Sequence, residues 1–487
     1  MSVIDTPLAV VGNSLSVLVG AAERADRGLP TLLVNPAGPW GAYFAGVQID
    51  GRRWDAGMVM YEFTSFRRPS EPPALASYDP LVRNDIGRFC GVVHDYVARH
   101  QPTRDVQAPQ LWIDGQVLPD LLLANGLAAL TELPCASAAR NELRVRVEAM
   151  RHSPWHASQK NDWPAQGGRG AHDEGLLDLD TVSRINHGEV LHDAVFGRFA
   201  RQVMGRDAGH LAALYHRIPW LPLYWPETLL ASLEGRPQAL PATVFSYPVS
   251  SSVAGLCATL ASRLASDPLI TVRQEKVARA APGAKGFTLE LEHGERVQAA
   301  RLAWAQTPQQ GLQACGVFAP APPEQRLPLL MAFLRLPREA LCRSFSVMHV
   351  IGESSGVYRI NHVSDCAGEP EGDEVRLVVE AHPERFAQRH GDCADDERAS
   401  RAFVADLAGL GLVKDGTVLL GARLIRMTGA LPLPTEAGLV AYDTDRRHLL
   451  ECLPGVEAIG NSAGPFATSL SDQIVQGLVL AEPLPPR

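Results

Sequence analysis

Lysine is scarce in this chain. Only Lys160, Lys276, Lys285 and Lys414 occur among 487 residues, which leaves few amines to act as a base; the basic residues are otherwise arginine. Cysteine is present but unorganised. The eight cysteines (Cys90, Cys135, Cys257, Cys315, Cys342, Cys366, Cys393 and Cys452) are scattered, with no C-x-x-C and no Cys/His cluster. A structural zinc and a disulfide framework are therefore not expected, and no metal site is assigned. No apolar run approaches the roughly 20 residues of a spanning helix. Met1–Asp5 lacks the basic start of a signal peptide, so a cytoplasmic location is expected. Positive charge is in deficit too: 54 acids face 45 bases, a net charge of -9, which argues against a nucleic-acid or anionic-membrane partner.

At this length two intimately joined domains are the expectation. The most informative stretch is Leu8 to Gly20, continuing to Asn35. A short apolar strand reaches Gly12, a helix begins near Ser14, Gly28 suits a left-handed helix end, and Leu32–Val34 reads as a second strand. Such a βαβ unit sets a dinucleotide diphosphate on a helix N-terminus. Of the fingerprint G-x-G-x-x-G, only Gly12 is kept; Ser14 and Val17 replace the other glycines. Asn35 stands where an acid would hold a ribose hydroxyl.

Further along, Asp50-Gly51 predicts a tight hairpin between Val47–Ile49 and Arg53-Trp54. Leu111–Gly115 looks like another. Helical periodicity is read over 84–99, 119–132, 189–204 and 208–216, and 152–176 reads as a mobile polar loop. Val253–Ala265 is an expected helix, followed by alternating strands from Ile270 to Val297 and a buried strand Leu302–Ala305 that ends in a turn. Alternation returns over 326–380, a helix over 395–411, and a buried strand over Val456–Ile459. The last helix starts near Ser469, an expected N-cap.

Together these blocks resemble the FAD-dependent flavoproteins of the amine oxidase, protoporphyrinogen oxidase and UDP-galactopyranose mutase type. The matching blocks are the Gly12 turn, Trp40–Phe44 with Asp55–Gly57, Tyr247–Val277 with Thr307-Pro308, Tyr358–His362 with Glu380, and Gly460–Gly477. The resemblance implies an α/β (α+β) architecture: a Rossmann-like FAD-binding domain from segments 1–70, 240–310 and 420–487, with a substrate or cap domain from 71–239 and 311–419. It implies FAD as cofactor, held by Gly12, Asn13, Ser14, Leu15, Asn35, Gly41, Ala42, Gly57, Val277, Gly460, Asn461, Ser469 and Leu470. Asn35 and Asn461 replace acids common in the family. An amide accepts fewer hydroxyl hydrogen bonds than a carboxylate and without its charge, so looser FAD binding than the family norm is expected.

For the reaction, the resemblance implies dehydrogenation of a C–N or C–C bond of a small molecule by hydride transfer to flavin. Arg359, Tyr358 and Tyr43 are the catalytic candidates. Arg359 could stabilise a reduced flavin anion or clamp an anionic substrate; an ordinary structural arginine is the competing reading. His210, His216 and His362 are weaker acid/base candidates, and Ile218–Pro226 reads equally as pocket wall or packed connector. No lysine falls in a block where the family's flavin-facing lysine belongs, although Lys276 adjoins Val277. Two alternatives stay open: a non-redox flavin isomerase resembling the mutases, and a degenerate, non-catalytic binding subunit. A homo-oligomer or protein partner is left open.

Overall fold

The computed structural model describes residues 3–64, 86–150, 171–172, 175–176, 178–213, 221–236, 243–318, 325–369, 372–391, 395–464 and 469–482. His216, and residues 218–220 of the aromatic run, lie outside them. The chain has a mixed α/β architecture divided into two compact units, each discontinuous in sequence. The first comprises residues 1–103, 251–323 and 437–487; the second comprises 104–250 and 324–436.

In the first unit, β1 (Val3–Val11), α1 (Leu15–Asp26) and β2 (Thr31–Val34) follow in that order. The sheet order is Ile270–Arg273, β2, β1, Arg296–Trp304, Gly286–Leu291, Val277–Gly283. The first four strands run parallel and the last two antiparallel, while Glu457–Ala458 adds a short parallel pairing to Arg296–Trp304. Strands of a parallel sheet are covered on both faces and need unbroken apolar sequence. Leu8 to Val11 meets that need, with every residue fully buried. Leu8, Val10 and Leu33 pack toward α1, the Val253–Ser266 helix and the Leu470–Ala481 helix. Ala9, Val11, Leu32 and Val34 face the other way, with Leu312 and Leu449.

Val17, at the third fingerprint position, is fully buried. Close helix packing is achieved one turn later instead. A Cβ on Gly20 would stand 2.7 Å from Leu480 Cδ2, and one on Gly477 would stand 2.5 Å from Val19 Cβ. These two glycines let α1 and the final helix pack nearly backbone to backbone. Val93, Tyr96 and Val97 of the Ile86–His100 helix belong to the same core. The unit boundaries accordingly fall at 103, 250, 323 and 436, where the sequence reading sets 70, 239, 310 and 419.

The second unit is built on a seven-stranded sheet in the order Gly421–Pro432, Arg326–Pro337, Glu374–Ala381, Val357–His362, Val347–Ile351, Gln110–Ile113, Gln116–Pro119. One face is apolar. Met348, Ile360, Val379 and Ala332 join Phe403 of the Asp396–Gly409 helix, whose ring stacks on Phe386 at 4.2 Å.

Both expected hairpins form. Asp50 and Gly51 have φ of 48° and 74°, and Asp114 and Gly115 have 47° and 90°, the paired left-handed geometry of a type I′ turn. Other expectations need correction. Residues 119–132 hold no α-helix: the Asp120 carboxylate accepts from the Leu122, Leu123 and Ala124 N–H groups and organises a turn, followed by a 3-10 segment at Leu127–Glu132. The helix expected from 189 is preceded by an unexpected one that starts at Leu179, where Asp178 caps the Thr181 N–H. Gly188, at φ 77° and ψ 163°, breaks the two apart, and the Glu142 carboxylate accepts the Glu189 and Val190 N–H groups where the expected helix begins. It continues through a π turn at His192–Phe196 into Gly197–Met204. Over 208–212 the chain is not helical; Leu211 and Ala212 instead make isolated bridges to Thr435 and Asp178, and 214–216 lie outside the described residues. Within the expected loop 152–176, residues 151–170 are outside the description, while Ala171-His172 and Gly175-Leu176 pair as short antiparallel strands. The turn after Ala305 leads directly into an unexpected helix, Pro308–Ala314. Thr307 and Gln310 form its capping box, a T-x-x-Q signature legible in the sequence.

Candidate functional site

A cleft of about 600 Å³ opens in the first unit around the N-terminus of α1. β1 delivers the chain to Gly12, whose φ of 132° and close approach to Ala305 admit no side chain: a Cβ would stand 2.8 Å from Ala305 Cβ. Ser14 is the N-cap, yet its own side chain does not cap the helix, and the first turn carries no acid. Its hydroxyl is spent on Ser16 Oγ at 2.7 Å. Among the first-turn amides, Ser16 N–H donates to Gln473 Oε1 at 3.0 Å, which ties α1 to the last helix. The positive end of the α1 dipole therefore borders the cleft with no anionic side chain of its own turn to answer it.

The walls come from distant segments. Asn13 Nδ2 donates to the Ala37 and Pro39 carbonyls at 3.0 and 2.9 Å and shapes the 36–41 loop. Gly41 N–H donates to Asn13 O at 2.7 Å. Ala42, at the second position of the family's double glycine, keeps a left-handed φ of 48°. Tyr43 lines the same wall, 40% exposed, and donates to Ala56 O at 2.5 Å. Opposite lie Lys276, Val277 and Ala278, the Trp304–Gln306 strand end, and Gln310 and Gln313. Asn461 closes one end, with its N–H on Ala305 O at 3.1 Å and its carbonyl accepting from the Tyr442 hydroxyl at 2.9 Å. Lys276 is the one charged side chain among the lining residues.

Of the residues expected from sequence, Asn13, Ser14, Leu15, Gly41, Ala42, Tyr43, Val277 and Asn461 meet on this cleft. Gly12, Asn35, Gly57, Gly460, Ser469 and Leu470 are not among its lining. Gly12 and Gly460 shape the backbone behind it, and Gly460 N–H donates to Gln476 Oε1 at 2.7 Å. Asn35 is turned into its own loop: Nδ2 donates to Gly38 O, and Oδ1 accepts from Ala37 N–H, both at 3.2 Å. Ser469 caps the final helix through a capping box with Asp472. Near Gly57, the Asp55 carboxylate accepts from the Val253 and Ala254 N–H groups at 3.0 and 2.7 Å, anchoring the start of that helix. Sequence reasoning missed Trp304, Gln310 and Gln313, and included Gln473 only as part of the Gly460–Gly477 block. Gln310 carried a signal in the capping box; the others carried none, because a lone glutamine or tryptophan does not announce where it points.

Arg359 and Tyr358 lie in the second unit, each 1% exposed. Register places His349, Arg359 and Glu380 side by side on three adjacent strands, on the sheet face opposite the apolar one. Glu380 accepts from Arg359 Nε and Nη2 at 2.9 and 2.6 Å, from Tyr358 OH at 3.1 Å and from Asn361 Nδ2 at 3.3 Å. His349 Nδ1 lies 3.2 Å from Asp120 Oδ1, and both side chains are fully buried. Burial alone would raise the Asp120 pKa. The His349 charge and hydrogen bond, with the Leu123 and Ala124 amides, outweigh it and hold the carboxyl below its ordinary range. His210 and His362 are pushed down, first by burial, which favours the neutral imidazole.

No family model and no curated protein sequence matches the chain. Solved structures do match along nearly its whole length. A reduced UDP-galactopyranose mutase aligns with a TM-score of 0.65 at 12% identity, over 98% of this chain and 94% of that one. A putrescine oxidase redesigned in cofactor binding aligns at 0.58 and 13%, over 98% of both chains. The cyclohexylamine oxidase of Brevibacterium oxydans IH-35A aligns at 0.54 and 14%, over 98% of each. The chain thus has the fold of these enzymes, and the likeness drawn from its sequence blocks holds at that level.

Proposed function

We propose that this chain is an FAD-dependent oxidoreductase that dehydrogenates a C–N or C–C bond of a small molecule. The observation that carries the reading is convergence: Asn13–Leu15, Gly41–Tyr43, Val277 and Asn461, from four distant segments, border one cleft at a helix N-terminus whose first turn carries no acid. These residues fit the cofactor. The α1 N-terminus suits a diphosphate, because the helix dipole favours an anion where no acid of the first turn competes. The amides of Asn461, Gln310 and Gln313 offer donors and acceptors to hydroxyl-bearing carbon, and Lys276 adds a positive charge beside Val277. Bound there, the flavin would supply the redox chemistry by accepting a hydride, while the protein binds and orients it. With Asn35 engaged in its loop, the ribose is held without the family's acid.

Tyr358 and Arg359 act on the substrate side in this reading. Glu380 already answers the Arg359 charge, so the favoured substrate group is neutral or cationic, such as an amine, over an anionic one. Purified protein should be yellow, and denaturation should release FAD. A colourless protein that takes up no FAD on titration would overturn the reading and leave a non-catalytic binding role.

A second reading, a flavin-dependent isomerase, is favoured by the Tyr358-Arg359-Glu380 cluster and by the fold shared with the mutase. Activity on a nucleotide sugar that appears only after dithionite reduction would support it; turnover by the oxidised protein alone would exclude it.

A further inference from the structure

β2 ends at Val34, level with Arg273 of the neighbouring parallel strand, and the Asn35 N–H donates to Arg273 O at 2.8 Å. Lys276 follows shortly after that strand. It lines the cleft together with Pro36 and Ala37, which follow Asn35. In a βαβ dinucleotide site this strand end sorts ligands by the adenosine ribose: an acid binds the bare 2′-hydroxyl, whereas a nearby cation accommodates a 2′-phosphate. Here the acid is absent and the cation is present. Asn35 spends its amide on the Gly38 carbonyl and the Ala37 N–H. Lys276 is exposed and makes no ion pair among the described residues. Acids on the flanking segments are engaged elsewhere: Glu275 lies 3.0 Å from His293 Nδ1, and Glu295 accepts from Arg273 Nε at 2.6 Å. Glu292 meets Lys276 through the backbone, its N–H donating to the Lys276 carbonyl at 3.0 Å.

We propose that Lys276 gives the cleft a preference for an adenine dinucleotide whose adenosine ribose carries a 2′-phosphate, so that such a ligand competes with FAD for the same place. The inference rests on the reading of the cleft as a dinucleotide site and adds a second occupant to it. A phosphate monoester adds about 1.5 to 2 negative charges and three acceptor oxygens. The lysine ammonium answers that charge with three donors on a flexible stem. Nothing in the lining opposes it: Asn13, Gln306, Gln310, Gln313, Asn461 and Gln473 are carboxamides, and no described lining residue is an acid. The α1 N-terminus favours the diphosphate of the same ligand. A carboxylate in place of Asn35 would repel the added phosphate; the amide carries no charge to do so.

The test is isothermal titration calorimetry of the full chain, freed of any flavin, with ADP-ribose and with 2′-phospho-ADP-ribose, two ligands that differ only in that phosphate. The phosphorylated ligand should bind about tenfold more tightly, the worth of one charge-assisted hydrogen bond. Its presence should also raise the FAD concentration needed for half-saturation. In Lys276→Met the preference between the two ligands should vanish, and in Lys276→Arg it should persist. Equal affinity of the wild-type chain for both ligands would overturn the inference while FAD binding still stands. So would an equal loss of both in Lys276→Met, which would assign the charge to the diphosphate. If neither ligand nor FAD binds, the dinucleotide reading falls and this inference with it. The wild-type comparison decides even where a variant fails to fold.

Discussion

Arg359 and Glu380 are cross-strand neighbours joined in two places, Nε to Oε1 at 2.9 Å and Nη2 to Oε2 at 2.6 Å, with about 1% of either side chain exposed. Removing one partner of a buried pair strands a charge, at a cost of about 3–5 kcal/mol. Glu380→Gln is therefore expected to destabilise the chain by about that amount in denaturant unfolding. Replacing both residues with apolar ones of similar volume should cost less than Glu380→Gln alone; an equal or larger loss would mean that the pair does more than neutralise itself.

Gln473 Oε1 accepts the Ser16 N–H and also borders the cleft. Gln473→Glu keeps the acceptor and sets a negative charge at the α1 N-terminus. The helix should gain about 0.3–1 kcal/mol, while a bound diphosphate is repelled. A higher melting temperature of the cofactor-free protein, with FAD affinity about tenfold weaker (about 1.4 kcal/mol), is the expected combination in scanning calorimetry and fluorescence titration.

Asn35 spends both ends of its amide on the 35–38 loop. Asn35→Asp removes the donor and faces a carboxylate with the Gly38 carbonyl oxygen, so a stability loss of about 1–3 kcal/mol is expected. FAD affinity should not rise. Tighter binding in titration would show that the acid leaves the loop for the ribose.

Ala42 holds a left-handed φ of 48°, a conformation that costs an L-residue about 1–2 kcal/mol. Ala42→Gly should raise stability by about 0.5–1 kcal/mol, since glycine's extra chain entropy offsets part of the relief. Thermal unfolding measures the shift.

Four imidazoles, His192, His210, His362 and His382, are held below their ordinary range, each first by burial. In the unfolded chain they take protons near pH 6.5. Below that pH the unfolded state binds more protons, so stability falls as pH drops through about 6.5 toward the lower folded values. His192 sits in a directional chain: Tyr224 N–H donates to His187 Nε2, and Ser183 Oγ bridges His187 Nδ1 and His192 Nδ1 at 3.0 and 2.9 Å. A melting temperature followed from pH 7.5 to 5 should decline, and His192→Gln should flatten the decline.

Much of the first unit was legible residue by residue. An unbroken Leu8–Val11 run predicts a doubly covered strand, Asp50-Gly51 predicts its turn, and Ser469 predicts a helix start; each is a local preference that neighbours reinforce. Signals failed where a side chain overrode the periodicity. Asp120 gathers three amides into a turn where the spacing suggested a helix, and Asp178 caps an additional helix at Leu179, ahead of the one expected from 189. The helix at Pro308 was overlooked although its capping box stood in the sequence.

The sequence by itself determined the order of the blocks, the scarcity of amine bases, and the strand–turn–helix at Gly12, because these depend on contacts within a few residues or on composition. Only the tertiary structure decided which expected ligands share a surface. It turned Asn35 into its loop while bringing Gln473 to Ser16 across the length of the chain. It gave Arg359 a buried carboxylate partner and replaced the missing fingerprint glycine with the Gly20–Gly477 approach. Apart from the local Asn35 turn, these contacts join segments far apart in sequence, and no local pattern records them.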